Sequence, residues 1–173
     1  MSDLVNSIQR LDQVAFDYIR RKSDCGKFGF AMLVISRLGD GFVWNAIAIF
    51  LLIHGGSTER LKVLYGLVAA LICILTCKVL KLLVRRQRPA LPDELRTIVK
   101  PWDKFSFPSG HSALSFALAL MVAVNYPIYA APVLLFAALI AFSRIYFGTH
   151  YPLDVAAGSM IGLLIAGIIL FFT

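Results

Sequence analysis

Charge is scarce in this 173-residue chain: Asp, Glu, Lys and Arg make up 16% of it, with 10 acidic residues against 17 basic ones. Cysteine and histidine are scarcer still, at three each. Cys73 and Cys77 stand four apart inside an apolar run, so they share a helix face instead of closing a disulfide loop. No metal-type spacing with histidine accompanies them, which leaves plain packing as their role. The N-terminus lacks a basic stretch leading at once into an apolar core, so no cleavable signal peptide is expected and targeting falls to the spans themselves. Internal repeats, low-complexity tracts and linkers are also missing, which points to a single domain.

What the chain has in abundance is hydrophobic residues, at 59% with a mean hydropathy of +0.78. Soluble domains hold about 45–50%, so this is a membrane protein. The net charge of +7 fits nucleic acid, anionic lipid or an anionic substrate. Only the placement of the charges can separate these.

In residues 1–27, Leu4, Ile8, Leu11, Val14, Ala15, Tyr18 and Ile19 recur at helical spacing with charges between them. That pattern suits an amphipathic helix at the membrane interface. The apolar stretch from Phe28 to Ile53 is interrupted by RLGDG, Arg37–Gly41. Charges at bilayer depth are costly and two glycines permit a tight reversal, so two helices are expected, with one kinked span as the alternative. Further spans are expected at about Val63–Val84, Ser109–Asn125, Pro127–Tyr146 and Pro152–Phe172, near the ~20 residues that cross the hydrocarbon core. The fold class is therefore an all-α, polytopic membrane bundle of about six transmembrane helices, residues 28–173, preceded by the interfacial segment. Gly158, Gly162 and Ala166 form a small-residue ridge for close helix packing.

Two spans separate the loop Arg85–Pro108 from the loop Phe147–Tyr151, so both fall on one side of the membrane. Positive charge does not say which side. Arg10, Arg20, Arg21, Lys22 and Lys27 lie in the N-terminal segment, while Arg85, Arg86, Arg88, Arg96, Lys100 and Lys104 lie in the long loop. Nucleic-acid binding by VRRQRP is disfavoured, because that run abuts a transmembrane helix end.

Three segments concentrate polar chemistry on the common face: KLLVRRQRP, PSGH and SRIYFGTHYPLD. In the third, Pro152 suits the first position of a helix, which brings Asp154 within reach of His150. A carboxylate on one imidazole nitrogen fixes the tautomer and frees the other as acceptor or nucleophile; a capping Asp beside a surface His is the plainer alternative. In the second, Ser109 can cap a helix whose first amides, with Gly110, offer an anion site. His111 projects there as a possible proton donor, or as an ordinary interfacial histidine. Lys81, Arg88 and Arg144 add three cations suited to a transferring phosphoryl group, although Arg144 could instead snorkel to the interface. His54, in a glycine-rich turn, carries no such pattern.

The three segments resemble the tripartite signature of the type-2 phosphatidic acid phosphatase superfamily: K-x6-RP at Lys81–Pro89, PSGH at Pro108–His111 and SR-x5-H-x3-D at Ser143–Asp154. Every signature position is matched in order, over a little under half of the chain. The resemblance implies a lipid phosphatase of the bacterial inner membrane. In it, His150 would attack phosphorus to form a phosphohistidine, Asp154 would orient it, and His111 would protonate the leaving oxygen. Lys81, Arg88, Ser109, Gly110 and Arg144 would hold the phosphoryl oxygens. It implies no metal or other cofactor, and no obligatory protein partner is evident.

The family's bacterial members place the signature loops toward the periplasm or exterior and both termini in the cytoplasm. By that topology the N-terminal helix would lie on the leaflet opposite the site. The extra basic residues suggest a substrate with more than one anionic group: undecaprenyl diphosphate, phosphatidylglycerol phosphate or lipid A 1-phosphate. A lipid or phosphate transporter, or an inactive membrane binding protein, are the rival classes.

Overall fold

The computed structural model describes residues 2–23, 26–90 and 103–173. Helix α1 is Ser2–Arg21. Helix α2, Lys27–Arg37, continues through a π-helical turn, Leu38–Phe42, into α3, Val43–His54. Gly55 and Gly56 then turn the chain into α4, Ser57–Val84. Helix α5 is Gly110–Asn125; α6, Ala130–Tyr146, follows a short 3-10 turn begun by Pro127; and α7, Pro152–Phe171, begins on its proline. Proline at a first helical position loses no backbone bond, because that amide has no partner within the helix.

Lys27–His54, Ser57–Val84, Pro127–Tyr146 and Pro152–Phe171 are long and apolar enough to cross a membrane, and α5 is a shorter apolar helix. Their outward side chains, among them Leu71, Leu75, Val79 and Leu82 on α4, are exposed hydrophobics of the kind a bilayer covers. The polytopic all-α bundle expected from the sequence is what forms.

RLGDG does not reverse the chain. Gly41, at φ 118°, kinks the helix, and Gly39 packs so tightly that a Cβ there would lie 2.8 Å from the Ile140 side chain. Asp40, the charge whose cost argued for a turn, is held by His111 and Arg144 and so is not stranded among apolar groups. The described residues therefore make five apolar passages, with Lys27–His54 as one kinked passage.

This parity moves α1. Its Phe16 and Ile19 pack with Ala141, Ile145, Val155 and Tyr151. Arg20 Nη1 and Ser23 Oγ both donate to the Tyr146 carbonyl, at 2.8 and 3.0 Å. These are the ends of α6 and α7 that carry the third motif, so α1 lies on the same side as the motif loops. Phe171 lies at the opposite end of the bundle. The placement of α1 on the leaflet opposite the site, and of both termini on one side, is corrected accordingly.

Helix α5 is the centre of the bundle, packed against α4, α6 and α7. Cys73 and Cys77 sit buried with Ala113, Ala117, Met121 and Ala166, in the packing role expected for them; Cys25 lies outside the described residues. The small-residue ridge lets α7 touch the α5 backbone. A Cβ on Gly158 would stand 2.3 Å from the Ser109 carbonyl oxygen, and one on Gly162 2.1 Å from that of Ala113. Helix ends bearing the second and third motifs are thereby locked together.

Candidate active site

Lys81 occupies the last turn of α4, buried, with Nζ donating to the Phe105 carbonyl at 3.0 Å and pairing with Asp103 at 3.3 Å. Arg85 then turns the chain in a left-handed conformation, φ 52°. The following strand-like segment is clamped: Gln87 bridges Phe105 in antiparallel fashion, and Ser106 donates its amide to the Arg86 carbonyl and its hydroxyl to that of Gln87. Arg88 is thereby aimed inward. Its Nη1 donates to the Thr149 carbonyl at 2.7 Å and stands 3.2 Å from His150 Nε2, while Nε donates to the Asp103 carbonyl.

The second motif opens α5. Ser109 stands at the N-cap but does not cap with its side chain; its hydroxyl instead accepts a hydrogen bond from Ser112 Oγ at 2.9 Å. The expected cap is not made, because Oγ is engaged by Ser112; Ser109 is fully buried, and its amide is donated to the Asp154 carbonyl, 2.9 Å. Gly110 has open space where a Cβ would be. His111 Nε2 lies 3.0 Å from Asp40 Oδ1.

In the third motif every residue from Ser143 to His150 is buried. Gly148, at φ 75°, folds the end of α6 back, so that the amides of Thr149 and His150 both donate to the Arg144 carbonyl. Arg144 does not snorkel. Nη2 donates to the Ser36 carbonyl and to Asp40 Oδ1, at 3.1 and 3.2 Å, and Nε is buried with no partner among the described residues. Asp154 completes a capping box at the start of α7, with Oδ2 accepting from the Tyr151 amide at 2.9 Å. The same oxygen is 3.8 Å from His150 Nδ1, an ion-pair distance and longer than a hydrogen bond. Oδ1 accepts from Arg86 Nη1 at 2.8 Å.

Burial pushes the His150 imidazole down to about 4, opposed by Asp154 and reinforced by Arg88 and Lys81. It is therefore neutral at pH 7, with lone-pair character on one nitrogen. Burial also lowers Arg88. Arg86 moves the other way: burial works against its charge, but hydrogen bonds and attraction to Asp12 and Asp154 raise it.

The eight residues expected from the sequence fall into two touching groups. Lys81, Gly110 and His111 open on a cavity of about 290 Å³, also lined by Asp40, Asp103 and Leu114, and Arg144 joins them through Asp40. Arg88, His150 and Asp154 form the second group, which Ser109 ties to the first through the Asp154 carbonyl. Sequence reading missed Asp40, Asp103 and Asp12, and counted Arg86 among the extra bases suggesting a substrate with more than one anionic group, whereas both of its terminal nitrogens bond to carboxylates. Asp40 alone had a signal, as a charge inside an apolar stretch. Of the other extra bases, Arg85 bonds back to its own helix and Lys104 lies over the Phe105 ring; Arg96 and Lys100 lie outside the described residues. Among the described residues no three His, Cys, Asp or Glu side chains are grouped as a metal site needs.

Residues 61–173 match the family model described as PAP2 superfamily. The chain is 34% identical over 112 residues to the bacitracin transport permease protein BcrC of Bacillus licheniformis, covering 64% of this chain and 55% of that protein. It is 29% identical over 119 residues to the undecaprenyl-diphosphatase BcrC of Bacillus subtilis, covering 69% and 61%. The matched stretch thus spans somewhat over half the length of these relatives. In three dimensions the chain superposes on the crystal structure of Aquifex aeolicus LpxE with a TM-score of 0.79 and 29% identity, over 93% of this chain and 95% of that one.

Proposed function

The chain belongs to the PAP2 superfamily, and from that premise we propose that it is a membrane lipid phosphatase acting through a phosphohistidine. One observation carries the reading: a buried, neutral His150 has Nδ1 toward Asp154 and Nε2 beside Arg88. Closing of the Asp154 contact as substrate binds would fix the proton on Nδ1 and leave the Nε2 lone pair facing the phosphoryl group.

In the first step Nε2 bonds to phosphorus, the bond from phosphorus to the leaving oxygen breaks, and His111 supplies the proton that oxygen takes up. In the second step water attacks phosphorus, its proton passes to His111, the P–N bond breaks and phosphate leaves. Lys81, Arg88 and Arg144 offset the charge on the equatorial oxygens, with the Gly110 amide at the start of α5 and the Ser109 hydroxyl, which accepts from Ser112 Oγ and so keeps its own hydrogen to donate. The unpartnered Arg144 Nε is a donor of the kind an anion would satisfy. Asp40 holds His111 Nε2 and Arg144 together and keeps the acid in place.

The substrate class is a phosphomonoester or diphosphate of a membrane lipid, with undecaprenyl diphosphate, phosphatidylglycerol phosphate and lipid A 1-phosphate as the candidates. The enzyme would sit in the bacterial inner membrane with its site toward the periplasm or exterior. A transporter is disfavoured because the motif residues gather at one end of the bundle and form no polar path along it.

The test is phosphate release by detergent-purified protein from those three lipids and phosphatidic acid, with vanadate and with EDTA. Turnover of at least one lipid, inhibited by vanadate, indifferent to EDTA and abolished by His150→Ala, is expected. Full turnover by His150→Ala refutes the mechanism.

A further inference from the structure

The ion pairs of the site do not stop at Asp154. Arg86 donates Nη1 to Asp154 Oδ1 at 2.8 Å and Nη2 to Asp12 Oδ2, and its guanidinium lies 4.1 Å over the Tyr151 ring. Asp12 belongs to α1, 74 residues away in sequence from Arg86. Its side chain is fully buried, and its other oxygen accepts from the Leu153 amide at 2.9 Å, in the first turn of α7. An anion there is favoured by the exposed amides and dipole of the helix start. Beside it, the Phe16 and Tyr151 rings pack with centroids 5.2 Å apart.

The faces of α1 explain why a carboxylate stands there. At about 100° per residue, its positions sort onto three faces roughly a third of a turn apart. Asp12, Phe16 and Ile19 look toward the bundle. Ile8, Leu11, Val14 and Tyr18 form an exposed apolar face, 43%, 69%, 60% and 61% accessible, suited to the bilayer interface. Arg10, Gln13, Asp17 and Arg21 make up the third, polar face. Asp12 is thus the acid on the buried face of a helix wedged between lipid, water and the active-site end of the bundle.

We propose that Asp12 and Arg86 are positioning residues of the active site: α1, docked on the bundle through Asp12, holds the guanidinium that fixes the Asp154 carboxylate beside His150. The proposal rests on the reading of Asp154 as the orienter of His150. Arg86 is then not a ligand for the substrate. Both terminal nitrogens are committed to carboxylates, one face is stacked on Tyr151, and it is not among the residues lining the cavity of Lys81 and His111.

The charge balance explains why one carboxylate does not suffice. Arg86 with Asp154 alone is a neutral pair, a poor partner for an imidazole that becomes positive as it reacts. With Asp12 added, the three groups carry a net negative charge, which leaves Asp154 able to stabilise that positive charge. The charged groups acting on His150 are Asp154, Arg88 and Lys81. Arg86 and Asp12 form the layer behind Asp154.

The experiment compares Asp12→Asn, Arg86→Lys and Arg86→Met in the full chain in lipid–detergent micelles. Asp17→Asn, the same chemical change on the polar face of α1, is the control. For Asp12→Asn and Arg86→Met the expected result is a loss in kcat of roughly tenfold or more with KM little changed, and for Arg86→Lys a partial recovery. Asp12→Asn should also move the acid limb of the pH profile to lower pH, because removing a negative charge disfavours protonated His150. Asp17→Asn should match the parent.

A rise in KM at constant kcat would make Arg86 a substrate ligand and overturn the proposal, as would an unchanged kcat and pH profile in Asp12→Asn. If Asp12→Asn does not fold, Arg86→Lys decides, because it keeps the charge: activity equal to the parent refutes positioning by the guanidinium. Turnover by His150→Ala would sink the underlying reading separately, whatever these variants do.

Discussion

Replacing Gly158 by alanine tests whether the contact between α5 and α7 sets the geometry of catalysis. The added methyl carbon would lie 2.3 Å from the Ser109 carbonyl oxygen and 3.1 Å from its carbonyl carbon, and both neighbours are backbone and cannot rotate away. Ordinary contact requires the helices to part by about 1 Å. The bond from the Ser109 amide to the Asp154 carbonyl, now 2.9 Å, joins the same two helix ends and would stretch beyond hydrogen-bonding range. Overpacking of this kind costs about 1–3 kcal/mol. A displacement of about 1 Å between His111 on one helix and Asp154 on the other can cost about 10²-fold in rate.

The assay is phosphate release together with thermal unfolding in the same detergent. Gly158→Ala should lose one to two orders of magnitude in kcat and melt at a lower temperature. Gly167→Ala, on the same helix but with nothing within 4 Å of its added carbon, should change neither for the worse. Parent-like kcat and melting in Gly158→Ala, or equal damage from Gly167→Ala, would refute the reasoning.

Two further outcomes follow from the geometry. With the His150 imidazole pushed down to about 4 by burial, its neutral form, the proposed nucleophile, persists through mildly acidic conditions and is lost only as pH falls through that value. The acid limb of kcat/KM should therefore lie near pH 4, and a limb at pH 6–7 would show His150 titrating like a solvated imidazole. For topology, single cysteines at Arg10, Lys104 and Thr58, in a chain whose three native cysteines are replaced, should react with an impermeant thiol reagent from two sides. Arg10→Cys and Lys104→Cys should label together and Thr58→Cys from the opposite face; labelling of Arg10→Cys together with Thr58→Cys would contradict the docking of α1.

The motif residues of the site were legible because they sit at fixed offsets from helix ends. Lys81 is in the last turn of α4, Ser109 and Gly110 start α5, and Asp154 is one turn inside α7, so apolar periodicity and two prolines place them together. The carboxylates outside the motifs were not legible. Asp12, Asp40 and Asp103 come from an interfacial helix, a kinked passage and a loop, and no spacing in the chain links them to their partners. The kink itself was misread for a physical reason. A charge inside an apolar stretch argues for a turn only if nothing in the fold can pair with it, and pairing is a property of tertiary contact. The placement of α1 opposite the site came from the family's topology, with both termini on one side, and that arrangement needs an even number of crossings where the described residues make five.

The pairing also shows where an anion is wanted. Lys81 has Asp103, Arg144 has Asp40, and Arg86 has both Asp12 and Asp154. Cations this deeply placed are tolerable because these carboxylates offset their desolvation. Arg88 is different: among the described residues its bonds are to the carbonyls of Asp103 and Thr149 and to the His150 ring, with no carboxylate paired to it. Carbonyl dipoles satisfy its hydrogens without cancelling its charge. Asp103 and Asp154 act on it only through space, without an ion-pair contact, so the cation with the least direct carboxylate pairing stands beside the Nε2 proposed to attack phosphorus, and on that proposal an arriving phosphate would be drawn there while the paired cations are held in place around it.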